Sequence, residues 1–335
     1  MAYPTGPRNL LTDVAGLIVG NASDAGIKSG TTVIVAEEPA VAAVQVLGGA
    51  PGTRETDLLE AHNSVEAINA IVLSGGSAFG LDAASGVQAA LRERGVGFDV
   101  RGMRIPIVPA AIIFDLQNGG DKDWGRYPPY RELGFAAVAA ASRDFAIGSH
   151  GVGVGALTAG LKGGLGSAST VLPSGVTVAA LVAVNPTGST TVGDSRHFWA
   201  APFEVGEEFG GLGLPARIPS GATRVRLKFR DSMELASTTI AVIATDAVLT
   251  KAAARRLAIS AHDGFARAIW PAHTPVDGDL VFAMATGRSG KVLDQGDAID
   301  LYAVAGSTMA RAIARGVFAA TAADNDLMPV WADRR

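Results

Sequence analysis

Glycine occupies 42 of the 335 positions while aromatic residues make up only 6%, and this pairing limits how the chain can build an interior. With few large rings, a hydrophobic fraction of 48% must fill the core as Ala, Val, Ile and Leu. Glycine then lets backbones approach closely and turn tightly. Stacked sheets and helices meet that requirement. The charged fraction of 18% places the chain among globular rather than disordered sequences. Its length could hold two average domains, although single α/β domains reach this size.

Charge and cysteine content narrow the function. Twenty-eight Lys and Arg stand against 32 Asp and Glu, a net charge of -4, so no broad electrostatic footprint for nucleic acid or an anionic membrane is present. Small molecules or peptides are the expected ligands. With no cysteine, disulfides, thiolate nucleophiles and cysteine-built metal centres are excluded. A nucleophile must then be a hydroxyl, an amine or a carboxylate. Residues 1–16 lack the plan of a signal peptide and no apolar run reaches the roughly 18 residues of a membrane span, so the cytoplasm is the expected compartment.

Periodicity predicts strands at 30–36 and 40–47, joined as a hairpin, then a loop at 48–52 and a helix over 55–68. A strand at 70–73, a helix over 78–94, a strand at 105–114 and an Ala-rich helix over 133–141 follow. The glycine-dense stretch 148–166 leads into a strand at 177–184, buried on both faces by its pattern. Residues 186–236 read as long loops with one strand, 224–230, whose Arg224, Arg226, Lys228 and Arg230 alternate with apolar residues as on a solvated edge. Beyond it come a strand at 239–244, a helix over 251–269 with Thr250 as N-cap and Pro271 as stop, a strand at 280–285 and a helix over 299–321. The order predicts a layered α/β architecture rather than a doubly wound sheet.

Several motifs fail on spacing. Gly151-Val152-Gly153-Val154-Gly155 does not complete a dinucleotide fingerprint and no phosphate loop follows. In Gly76-Ser77-Ala78-Phe79-Gly80 the second glycine sits one place too far for a nucleophile elbow. The five histidines show no two-His helical spacing for zinc, though His273 with Asp277 and Asp279 could bind a metal in principle. What remains is Ser237-Thr238-Thr239-Ile240, a hydroxyl-rich entry into an apolar strand. On its own it reads as an ordinary strand start.

A set of ordered blocks changes that reading: Asp13-Val14-Ala15-Gly16, Gly48-Gly49-Ala50-Pro51-Gly52-Thr53-Arg54-Glu55-Thr56-Asp57, Leu73-Ser74-Gly75-Gly76-Ser77-Ala78-Phe79-Gly80-Leu81, Lys162-Gly163-Gly164-Leu165-Gly166, Val184-Asn185 and Ala244-Thr245-Asp246-Ala247. Through them the chain resembles the β-peptidyl aminopeptidases, DmpA-type D-aminopeptidases and nylon-oligomer hydrolases over nearly its whole length. The resemblance implies a four-layer αββα sandwich of the N-terminal-nucleophile type, made as one chain that cuts itself. The nucleophile of that family stands six residues before the Ala-Thr-Asp-Ala block, which falls on Thr238 and puts the cut after Ser237, where Asn or Gly would be expected. Fragments 1–237 and 238–335 would then form one folded domain.

The resemblance further implies Lys162 and Asn185 near the nucleophile, a carboxylate pair at Asp277 and Asp279, no cofactor or metal, and a homotetramer of processed protomers. A Thr nucleophile with paired aspartates looks closer to the nylon-oligomer branch. Some relatives add a tyrosine near the oxyanion, a region shared here by Phe114, Tyr127 and Tyr130. A free Thr238 would carry its own base in its α-amine, and Asn185 is the candidate oxyanion donor. The expected activity is hydrolysis of short peptides or ω-amino acid oligomers. Two alternatives stand beside it: an uncleaved binding or structural relative, and a metal-assisted hydrolase using His273, Asp277 and Asp279.

Overall fold

Two antiparallel strands open the fold, β1 (Leu17–Asp24) and β2 (Ser29–Val46), and the second is long enough to serve two sheets. Residues 40–47 are therefore not the return arm of a hairpin, as the sequence pattern suggests. At Glu37-Glu38-Pro39 the chain stays extended and exposed, the register shifts between Val35 and Ala40, and the strand changes neighbours. The computed structural model describes residues 3–228 and 237–334.

Further along come β3 (Thr53–Arg54), β4 (Ala67–Ser74), α1 (Ala83–Glu93), the small hairpin β5 (Phe98–Val100) and β6 (Met103–Ile105), β7 (Ala110–Ile112) and α2 (Tyr130–Ala139). The second half adds β8 (Gly164–Val171), β9 (Thr177–Val184), β10 (Ile240–Thr245), α3 (Lys251–Ala261), α4 (Asp263–Ala268), β11 (Leu280–Ala285) and α5 (Gln295–Phe318). The strand order is β3-β7-β4-β2-β11-β10-β9-β8, with β1 paired to the first half of β2.

Alternation along the strands divides the interior into three apolar layers. Val178, Ala180 and Val182 of β9, Ala241 and Ile243 of β10 and Val281 and Ala283 of β11 face α3, α4 and α5. The intervening residues, Leu181, Val242 and Phe282 among them, face Leu17, Ile34, Ile71 and Leu73 of the other sheet. Val33, Val35, Ala70 and Val72 on that sheet's far side pack on α1 and α2. The result is a helix–sheet–sheet–helix sandwich, the expected fold class.

Local departures from the sequence pattern have identifiable causes. No helix forms over 55–68 beyond a 3-10 turn at Asp57–Leu59, because the buried Lys251 ammonium takes the carbonyls of Leu58, Asn63 and Val65 at 3.1, 3.0 and 3.1 Å. Pro106 and Pro109 lack the N–H a ladder needs, and strand 105–114 shrinks to β7. The helix expected over 251–269 is interrupted at His262, whose Nε2 meets the Gln45 carbonyl at 2.9 Å. Residues 224–228 form no strand, and 229–230 lie outside the described residues. β8 went unread because Gly and Ser dominate it. Its glycines admit α5: a Cβ at Gly166 would fall 1.9 Å from the Ala312 carbonyl oxygen.

Gly166→Ala should therefore lower stability by about 1–3 kcal/mol or more. A urea unfolding midpoint indistinguishable from wild type would contradict this account of the α5–β8 contact.

Candidate active site

Three strand ends converge at one edge of the second sheet. β10 runs antiparallel to β9, pairing Ile240 with Ala183, and parallel to β11, pairing Ile240 with Leu280. The residue after β9 is Asn185, the residues before β10 are Thr238 and Thr239, and the residue before β11 is Asp279. Ladder register thus brings together four residues that sequence separates by up to 94 positions (279 − 185).

The Ser237–Thr238 junction lies at the centre of this edge. The Thr238 hydroxyl donates to the Ser237 carbonyl oxygen at 2.6 Å, and the Gly278 backbone N–H donates to the same oxygen at 3.0 Å. The Thr238 N–H donates to the Asn185 carbonyl at 3.0 Å. Gly278 must be glycine here, since a Cβ would lie 2.8 Å from Thr238 Oγ1 and 2.6 Å from the Ala50 carbonyl oxygen.

Both flanking aspartates are fully buried. Asp279 Oδ1 accepts the Thr239 N–H at 2.8 Å, and its Oδ2 accepts the His273 N–H at 3.0 Å and faces His273 Nδ1 at 2.9 Å. Burial pushes the Asp279 carboxyl above its usual range, against the opposing His273 hydrogen bond. Asp277 Oδ1 accepts from the Thr187 N–H and hydroxyl at 3.0 and 2.9 Å, and its Oδ2 accepts from the Thr274 N–H and hydroxyl at 3.2 and 2.6 Å. These two carboxylates frame the junction without touching Thr238 Oγ1 directly. Among the described residues no group of three or more His, Cys, Asp or Glu side chains is placed to hold a metal ion.

Asn185 is held from three sides. Its Nδ2 donates to the Phe114 carbonyl at 2.9 Å, while its Oδ1 accepts the Leu157 N–H at 2.9 Å and the Lys228 ammonium at 2.8 Å. Lys162 lies elsewhere in the network: its buried ammonium pairs with Asp326 at 2.7 Å. The lysine bonded to Asn185 is Lys228, which the sequence pattern placed on a solvated edge and which is only 3% exposed. Burial brings its ammonium down to about 7, against the pull of Asp277 and Asp115. One basic residue among four in an alternating stretch carries no sign of such burial, so the sequence offered no signal for it.

A cleft of about 230 Å³ opens onto the junction, with Ser237 and Thr238 in its lining and Pro51, Leu81, Ile112, Phe114 and Val276 among its walls. Among the described residues no charged side chain lines it. Of the three residues considered for an oxyanion tyrosine, Phe114 lines the cleft, Tyr127 is 79% exposed, and Tyr130 is buried in the layer beneath α1 and α2, bonded to Ser29 at 3.1 Å.

The family whose sequence pattern matches residues 9–326 is Peptidase family S58. The chain belongs to that family and is an amide hydrolase. An "uncharacterized aminopeptidase" of Mycobacterium tuberculosis (strain ATCC 25618 / H37Rv) is 46% identical over 287 residues, covering 83% of this chain and 82% of the relative. A "6-aminohexanoate-oligomer endohydrolase" of Paenarthrobacter ureafaciens is 28% identical over 331 residues, covering 92% and 80%. Two solved structures share the fold, each with a TM-score of 0.69 at 22% identity. A Burkholderia sp. beta-aminopeptidase matches 98% of this chain and 92% of its own. The l-aminopeptidase d-ala-esterase/amidase of Ochrobactrum anthropi, described as a variant of the Ntn hydrolase fold, matches 100% and 93%.

His262 packs its ring 4.9 Å from that of His273 behind Asp279, and burial lowers its pKa from 6.5 to about 4. The unfolded chain binds this proton and the folded one does not, so its contribution to stability is lost as pH falls from about 6.5 toward 4. Unfolding midpoints across that range should fall less steeply for His262→Gln than for wild type. Parallel slopes would show that His262 does not titrate this way.

Proposed function

We propose that the protein cuts itself between Ser237 and Thr238 and then hydrolyses amide bonds of short peptides or ω-amino acid oligomers, with Thr238 Oγ1 as the nucleophile in both reactions. The observation that carries this reading is the Ser237 carbonyl oxygen, which accepts hydrogen bonds from both the Thr238 hydroxyl and the Gly278 N–H at the base of a cleft. The hydroxyl oxygen stands beside the carbonyl it would attack. A backbone donor already points at the oxygen that would gain negative charge.

In the first reaction Thr238 Oγ1 bonds to the Ser237 carbonyl carbon, the Ser237–Thr238 C–N bond breaks, and the hydroxyl proton ends on the Thr238 nitrogen. Water then cleaves the resulting ester and releases the chain ending at Ser237. The freed α-amine, with a reference pKa of about 7.7–8, can accept the hydroxyl proton in later turnovers. A substrate amide acylates Thr238, its amine departs, and water regenerates the hydroxyl. Asn185 would supply a side-chain N–H to the oxyanion, and Asp279, through the Thr239 N–H, would hold the nucleophile's strand in place.

The cleft wall, uncharged among the described residues, supports substrates whose acyl part is apolar or a methylene chain, because an unpaired charge there would be costly to desolvate. That agrees with the names of the 28%-identical relatives. The names of the 46%-identical relatives favour release of residues from a free amino terminus.

Purified protein should give two bands, and Edman sequencing of the smaller should begin Thr-Thr-Ile-Ala. Thr238→Ala should abolish both cleavage and hydrolysis, Thr238→Ser should keep some of each, and Asn185→Ala should fold but lose roughly a hundredfold in activity. Cleavage and full activity in Thr238→Ala would remove Thr238 as the nucleophile. Against a panel of amides, apolar acyl groups should react about tenfold or more faster than acidic or basic ones. Comparing free with N-acetylated oligomers distinguishes exo- from endo-hydrolysis.

A further inference from the structure

Lys228 has no part in the reaction written above, yet it is almost wholly enclosed beside it. Its ammonium donates to Asn185 Oδ1 at 2.8 Å, to the Leu157 carbonyl at 3.0 Å and to the Asn185 carbonyl at 3.4 Å, and its backbone N–H donates to the Thr187 carbonyl at 2.8 Å. Main chain and side-chain tip are both fixed.

These partners decide how Asn185 is turned. An ammonium has no acceptor and cannot face an amide NH2, and the Leu157 N–H makes the same demand on the same atom. Oxygen is thereby held toward Lys228, and Nδ2 toward the Phe114 carbonyl at 2.9 Å, beside a residue that lines the cleft. The Asn185 backbone carbonyl meanwhile accepts the Thr238 N–H. Lys228 Nζ and Thr238 N thus share one carbonyl oxygen.

We propose that Lys228 is a positioning residue of the Thr238 site: bonded to both oxygens of Asn185, it turns that side chain's N–H groups toward the cleft and holds its ammonium on the same carbonyl oxygen as the Thr238 nitrogen. The inference rests on the reading of Thr238 as a new N-terminus. Once cleavage makes that nitrogen an amine, two groups able to carry positive charge share the Asn185 carbonyl, and each disfavours protonation of the other. Among the described residues, the charged groups acting on Lys228 are Asp277, held by Thr187 and Thr274, and Asp115, held by Ser29 and Gly76. Burial outweighs both carboxylates at Lys228. A charge on Lys228 therefore lowers the pH at which the amine becomes neutral and able to take the Thr238 hydroxyl proton.

The test begins with processed wild-type enzyme, treated with an amine-reactive anhydride across a pH series, with acylation of the Thr238 amine read by peptide mass. The amine should titrate below the reference value of about 7.7; a value at or above it overturns the proposal. If no 238–335 fragment exists, it is the Thr238 reading that fails, so the two failures are distinct. Lys228→Met and Lys228→Gln read the same point through turnover. Both should move the acid limb of kcat/KM upward by about one pH unit. Lys228→Met should also lose roughly tenfold or more in kcat with a smaller change in KM, and Lys228→Gln, which still donates to Asn185, should recover part of that loss. An unmoved acid limb in folded variants would mark Lys228 as merely structural. Should neither variant fold, the wild-type amine titration decides.

Discussion

The pairing of β10 between β9 and β11 is the constraint on which the site depends. Because one neighbour is antiparallel and the other parallel, the end of β9 and the starts of β10 and β11 lie at the same edge. Shifting any of the three by one residue would turn its whole apolar set to the wrong face. Core packing therefore enforces the position of Thr238 relative to Asn185 and Asp279 with the same stringency that it enforces the interior of the sheet. A site on mobile loops would lack that guarantee.

Around this edge the buried carboxylates and the Asn185 amide are matched donor to acceptor, while Thr239 Oγ1 and His273 Nε2 have no hydrogen-bond partner among the described residues. The four oxygens of Asp277 and Asp279 receive backbone N–H groups or Thr hydroxyls, or face His273, and Asn185 is held at both ends of its amide. Such a network is costly if half satisfied and rigid when complete. Its rigidity matters for amide hydrolysis, where donors must already point at the developing charge. The cleft in front, uncharged among the described residues, and the hydrogen-bonded carboxylates behind divide the labour between admitting a substrate and orienting the reacting groups.

Features set by local chemistry were legible in the sequence. The strand 177–184 is apolar throughout, and a layer between two others requires that. Thr250 caps α3, its hydroxyl accepting the Ala253 N–H at 3.2 Å. The family blocks led to Thr238, Asn185, Asp277 and Asp279, and the fold gathers these four at one edge. What stayed hidden depended on distant partners. Lys251 claims carbonyls that the helical pattern at 55–68 would have used. Lys228 looks like its exposed neighbour Arg224 until tertiary structure encloses it. β8 carries little apolar signal because its task is to let α5 come close. His273 drew attention as a metal ligand, whereas its placement makes it a partner of Asp279.

β2 belongs to both sheets at once, its first half paired with β1 and its second with β11. A beam shared in this way leaves the molecule without a seam. Neither sheet can melt while the other persists, because loss of either strips one half of β2 of its partner. The expected unit of cooperativity is thus the whole sandwich. A molecule seated in the cleft would raise the opening free energy of amides in the outer helices on both sides, far from any atom it touches.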